Sequence, residues 1–360
     1  MPRLQRARVG EEMTDYTIPR SVGAISVVPD MSEGPVAWWR ASRGRPLYQS
    51  FASMRDSGLT AVGCLLRAHP TQRIWENIRR AMRTPGLDVI VITPLRWAER
   101  EWNYDHTVKN LRWENTPPEI FELLYRHYGH QEKTIIVQSL ELDWTVAGIG
   151  CRADDRCIKD GSKYDYYLAL CGDHVHACKQ VKIDRAARLL KIMNERQAAA
   201  EAARKRHPNA KLKVYHAMQV NFFMDEFYLV ARDLIPAMNL PPDLVGLSLY
   251  RKAGDPVVAY ENVLEWTGLP ADRVYVAEVG TREGTQRDGR AREGPRQYNR
   301  IVPVVDSLFN LGCPLAMVWS WEEVAGGGGH TGYAVNDAVT GEPLSGRTAI
   351  EELNRRWRNE

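Results

Sequence analysis

Nowhere in the 360 residues do about 18 apolar positions run together, so the sequence predicts no membrane-spanning helix. The opening residues, MPRLQRARVGEEMTDYT, are charged and lack the apolar stretch of a secretory signal. An excess of one charge is also missing. The chain has 48 basic and 45 acidic residues, a formal net charge of +3, which argues against a dedicated nucleic-acid binder with its one-sided basic patch. AISVVPDMSEGP, which holds the first strand-like run, lacks the GxGxxG turn of a dinucleotide-binding sheet. There is no HExxH or similar metal signature. The four glycines at 326–329 have neither a P-loop lysine nor a strand–turn–helix frame and read as a flexible rim loop. No internal repeat of about 20 to 50 residues is present.

Phenylalanine is scarce as well, with 6 residues against 11 Trp and 15 Tyr. Amphipathic rings thus outnumber the purely apolar one. That bias suits a surface that stacks on sugars, although Trp and Tyr also fill ordinary cores. Cysteine is sparse and uneven: of 6 in all, Cys151, Cys157, Cys171 and Cys178 lie close together, with His174 and His176 among them. Disulfides stapling a long loop are one reading and imply an oxidising compartment. Zinc ligation is another, although the spacing matches no standard finger. The chain is expected to be secreted if that loop is disulfide-bonded and cytoplasmic otherwise. Cys64 and Cys313 sit in apolar runs and are expected to be buried thiols.

What the chain does have is alternation. Strand-like runs occur at 24–28, 59–69, 87–95, 133–142, 212–218, 243–250, 273–279 and 314–321. LDVIVITPL is continuously apolar, as expected of a strand buried on both faces. Helical spacing occupies 46–58, 71–83, 117–129, 185–206, 224–238, 255–268, 296–312 and 346–357, with Asp184 placed to cap the fourth of these. Repeated βα units imply a parallel sheet. Eight strands predict a (β/α)8 TIM barrel, with a doubly wound sheet as the alternative. The expected layout is an N-terminal extension over 1–23 and one barrel over 24–360, with long loops after strands three and four.

In such a barrel the active site forms at the C-terminal ends of the strands. Those ends present Arg67 and His69, then Arg96 and Trp97, then Glu141, Asp143 and Trp144. His216, Gln219 and Asn221 follow on strand five, Tyr250 and Arg251 on strand six, Glu278 on strand seven, and Trp319, Trp321, Glu322 and Glu323 on strand eight. The result is a ring of carboxylates and aromatics rather than a phosphate cradle. VYVAEVGTR is the most pointed stretch, because it sets a carboxylate, Glu278, at the end of an apolar strand just before Gly280. Two carboxylates facing each other across a cleft are the machinery of glycoside hydrolysis.

The order of these motifs resembles the large clan of retaining β-glycosidases built on (β/α)8 barrels. VYVAEVG is similar to that clan's strand-seven element, and PLAMVWSW to its strand eight, whose Trp floors the cleavage subsite. Arg67 in CLLRAH resembles the strand-two Arg that steadies the nucleophile, and Tyr250 in LSLY the strand-six Tyr that hydrogen-bonds it. The resemblance implies a glycoside hydrolase acting on a β-linked oligo- or polysaccharide, with Glu278 as nucleophile and Glu141 as acid/base. By their places at the strand ends, Arg67, Trp97, Asp143, Trp144, His216, Gln219, Asn221, Tyr250, Trp319 and Trp321 are the candidate substrate neighbours, with a core histidine as the commoner reading of His216, and the chemistry requires neither cofactor nor metal. One departure stands out: the clan usually has Asn before the acid/base, and here Leu140 precedes Glu141. Asp143 is then an alternative acid, sharing a face with Glu141 if the strand continues, and Gln219 or Asn221 a source of the missing amide. A non-catalytic carbohydrate-binding barrel and a metal-dependent hydrolase using the Cys/His loop are the competing readings. No nucleic-acid or membrane partner is expected.

Overall fold

The computed structural model describes residues 18, 20–28, 47–67, 79, 82–95, 118–139, 142–147, 175–221, 229–250, 255–281, 295–320, 335 and 343–357. Its centre is a closed barrel of eight parallel strands in sequence order: β1 (Ser21–Val28), β2 (Ala61–Arg67), β3 (Val89–Leu95), β4 (Thr134–Ser139), β5 (Lys213–Asn221), β6 (Leu244–Leu249), β7 (Val274–Val279) and β8 (Leu315–Trp319). This is the expected (β/α)8 barrel. Around it lie α1 (Leu47–Asp56), α2 (Ile120–Tyr128), α3 (Leu142–Ala147), α4 (Val175–Arg206), α5 (Pro256–Thr267), α6 (Arg296–Asn310) and α7 (Ser345–Trp357).

Local chemistry explains these elements. β4, β6 and β7 are buried at every position, which is why their sequences run apolar without alternation. Asp255 caps α5 by accepting from the Val257 N–H, Pro256 supplies the first turn, and Gly268 ends the helix in the left-handed region at φ 67°. In α7, Asn354 reaches the first strand: its Oδ1 accepts from Val22 N at 3.0 Å and its Nδ2 donates to Val22 O at 2.9 Å. β1 begins at Ser21, three residues ahead of the expected barrel boundary.

Three elements depart from expectation. The helix predicted from 185 begins at Val175, so Asp184 lies inside α4 rather than capping it; VHACKQVKI offers no Gly or Pro to stop the helix. The strand predicted over 133–142 ends at Ser139, and Leu142 already opens α3. Asp143 therefore shares no strand face with Glu141. The helix predicted over 224–238 is, in its described part, a π-helical turn at Val230–Leu234 followed by a 3₁₀ turn at Ile235–Ala237, where Pro236 removes a backbone donor.

One irregularity positions the site. Strand parity would put Tyr275 and Glu278 on opposite faces of β7. The pairing of β6 with β7 slips instead: Leu247 pairs with Val276, but Ser248 pairs with Glu278. This bulge re-aims the end of the strand, so Tyr275 and Glu278 join one interior hydrogen-bond network. Gly246 makes room for it, since a Cβ there would stand 2.9 Å from the Tyr275 ring and 2.8 Å from Ala277 Cβ.

Candidate active site

Glu278 is the penultimate residue of β7 and is only 4% exposed. An isolated buried carboxylate is costly, so it requires partners. It has one on each oxygen. The Gln219 Nε2 donates to Oε1 at 2.9 Å, and the half-buried Tyr250 hydroxyl donates to Oε2 at 2.5 Å. Both donors favour the ionised form and fix the rotamer.

The Gln219 amide is itself held. Its second N–H contact is Ser248 Oγ at 2.6 Å, and its Oε1 accepts from Gln138 Nε2 at 2.8 Å. Gln138 Nε2 also reaches Thr93 Oγ1 at 3.3 Å, and Gln138 Oε1 accepts from the Tyr275 hydroxyl. Burial pushes the Tyr275 phenol well above its usual range, and the Glu278 charge adds to the effect. The series climbs the barrel with its stagger. Gln138 pairs with Ala217, two residues below Gln219; Gln219 pairs with Gly246, two below Ser248; Ser248 pairs with Glu278.

The structure thus brings Glu278, Gln219 and Tyr250 together. Trp319 ends the strand beside that of Glu278, since Val279 pairs with Val318; it is buried, and its peptide bond to Ser320 is cis. Asp143 occupies a different place. In the first turn of α3 its Oδ2 accepts from Asn221 N at 2.7 Å and its Oδ1 from Val230 N at 2.8 Å. It clamps α3 to the end of β5 and to the π-helical turn, and Asn221 is seen with its backbone in that clamp. With both oxygens accepting from backbone, Asp143 anchors α3 in this structure.

His216 stands apart from the interior network and corrects the expectation that it lines the site. Its side chain lies on the helix side of β5, where Nδ1 contacts Gln197 Oε1 at 3.0 Å and the ring meets Phe121 edge-on. Burial, helped by the nearby Arg196 charge, pushes its pKa down to about 3, so it is a neutral core residue. Parity explains the error: alternate residues of β5 face opposite ways, and Gln219 takes the interior.

Glu141, Trp97 and Trp321 lie outside the described residues, as do the side chains of Arg67 and Trp144. So do Cys151, Cys157 and Cys171 and the side chain of Cys178. Cys64 and Cys313 are free and buried, and burial pushes both thiols up to about 12. Among the described residues no three His, Cys, Asp or Glu side chains gather as metal ligands, and no helix is long and apolar enough to cross a membrane. Gln138, Ser248 and Tyr275 were not singled out in the sequence. The available signal was the amide in TIIVQS, a polar residue inside an otherwise apolar buried strand.

No protein-family profile and no curated relative matches the sequence. Solved structures do match in shape. An exo-β-1,4-mannosidase from Opitutaceae bacterium strain TAV5 superposes with a TM-score of 0.56 at 12% identity, over 94% of this chain and 60% of that one. A β-galactosidase from the Antarctic haloarchaeon Halorubrum lacusprofundi gives 0.55 at 11% identity, over 94% and 58%. The catalytic domain of the major endoglucanase from Xanthomonas campestris pv. campestris gives 0.50 at 12%, over 96% of both chains. The chain spans about three-fifths of the length of the mannosidase and the β-galactosidase. What it shares with these glycoside hydrolases is the (β/α)8 barrel fold.

Proposed function

We propose that this protein is a glycoside hydrolase that cleaves a β-linked oligo- or polysaccharide with retention of configuration. The observation that carries the proposal is Glu278, a nearly buried carboxylate at the C-terminal end of β7, held by the Tyr250 hydroxyl and the Gln219 amide. Barrel enzymes assemble their chemistry at that end, and the solved structures of like fold include proteins named for acting on β-linked sugars.

In this mechanism Glu278 attacks the anomeric carbon. Two donors keep it ionised and aimed, at the cost of some nucleophilicity. Glu141, which follows β4 by sequence, protonates the leaving oxygen and then deprotonates the water that attacks the anomeric carbon, breaking its bond to Glu278 and freeing the sugar. Trp319, Trp321, Trp97 and Trp144 supply flat apolar faces for sugar C–H groups. Arg67, the last residue of β2, is assigned by its place in the sequence to help hold Glu278 ionised.

The test is a panel of β-linked polysaccharides and aryl glycosides with wild type, Glu278→Gln and Glu141→Gln, followed by mass spectrometry after incubation with 2-deoxy-2-fluoro glycosides. The expected result is a substrate cleaved by wild type alone and a fluoroglycosyl adduct on the peptide containing Glu278. An adduct on another residue, or turnover that survives Glu278→Gln, would overturn the assignment.

A further inference from the structure

Gln219 holds one oxygen of Glu278, but an amide can face either way. A carboxylate only accepts hydrogen bonds, so Gln219 must present its nitrogen there. What makes it do so lies one strand further back. The two N–H groups of Gln219 meet Glu278 and Ser248, which turns its oxygen toward Gln138. Gln138 must then offer nitrogen, and its two N–H groups meet Gln219 and Thr93. Its own oxygen is left facing Tyr275, whose hydroxyl has to donate. Every member is buried. Turning Gln138 over would set two amide oxygens against each other at 2.8 Å, and the relief, a turned Gln219, would set an oxygen against the Glu278 carboxylate at 2.9 Å.

We infer that Gln138, with the Tyr275 hydroxyl behind it, is a positioning residue for Glu278. It acts through Gln219, fixing which face of that amide meets the carboxylate, and touches neither Glu278 nor substrate. The inference rests on the proposed role of Glu278 for its catalytic meaning but not for its geometry. A donor to the charged form lowers a carboxylate's pKa, so a Gln219 released to turn lets that pKa rise.

The experiment is 13C NMR of the glutamate carboxyls across pH, with the Glu278 signal assigned by its loss in Glu278→Gln, in wild type, Gln138→Leu and Tyr275→Phe. The Glu278 midpoint is expected to rise by about one pH unit in Gln138→Leu, and by less, in the same direction, in Tyr275→Phe. With a substrate in hand, kcat measured below the Glu278 midpoint should fall about tenfold in Gln138→Leu, with KM little changed and the acid limb of the pH–rate profile moved up by the same amount. An unmoved Glu278 midpoint in the folded variants overturns the inference, even if activity falls. If Gln138→Leu fails to fold, Tyr275→Phe, which changes one oxygen, decides the matter alone. A shifted midpoint in a protein that cleaves no β-glycoside leaves the relay standing and removes the proposed reaction instead; an active wild type with an unmoved midpoint does the reverse.

Discussion

The barrel buries two polar clusters on opposite faces of the same strands. Inside it, Thr93, Gln138, Gln219, Ser248, Tyr275 and Glu278 join almost wholly through side chains. Outside it, against α4, Asp243 accepts from Arg204 at 2.7 Å, from Gln197 at 3.0 Å and from the His216 backbone N–H at 2.9 Å, while Gln197 accepts from Asp243 N and from the His216 ring. The outer cluster ties backbone to helix at the start of β6 and holds the fold shut. The inner one links these residues side chain to side chain and delivers donors to a single carboxylate at the far end of the strands. Buried polarity that grips backbone serves stability; buried polarity that aims one charge serves chemistry.

Substitutions can break that distinction. The largest effect is expected inside: Glu278→Gln should lower kcat/KM by about a thousandfold or more, with a melting temperature close to wild type, read by steady-state kinetics and calorimetry. Outside, Asp243→Ala removes the fully buried acceptor of Arg204, Gln197 and the His216 N–H, leaving Arg204 with Glu201, and should cost about 3 kcal/mol in urea unfolding, while the folded fraction keeps its turnover. Tyr250→Phe removes one donor from Glu278 and should lower kcat about a hundredfold without a matching loss of stability. A drop in stability in place of activity would erase the contrast.

A pH dependence sharpens the outer half of the comparison. The folded pKa of His216 is about 3, below its ordinary value of 6.5. Its contribution is therefore present above pH 6.5 and lost as the pH falls toward 3, because the unfolded chain binds a proton that the fold refuses. The acid limb of stability should steepen there by at most about 1.4 kcal/mol per pH unit. His216→Phe, which cannot titrate, should flatten it in urea titrations at stepped pH.

Much of the barrel was legible because all eight strands carry buried apolar runs of the right length. Glu278, Gln219 and Tyr250 were legible as residues at strand ends. Their joining was not, since it depends on barrel stagger and on a bulge at residues 276–278 that strand parity contradicts. His216 misled for the same reason: being near a strand end says nothing about which face a side chain takes. Asp143 left the strand face expected of it because β4 stops at Ser139. Gln138 went unread because an amide inside an apolar strand gains its meaning only from Gln219 and Tyr275, which lie far along the chain.

The closure of the barrel also sets a schedule for its making. Ser21 of β1 pairs with Leu315 of β8, and Val22 is gripped by Asn354, 332 residues later. A ribosome adding about 5–20 residues per second needs roughly 20 to 60 seconds to cover that span. For that time the first strand has no partner on one side, and its open edge invites pairing with other chains. That edge closes only when β8 arrives, so any pause in synthesis between the two strands lengthens the exposure by its own duration.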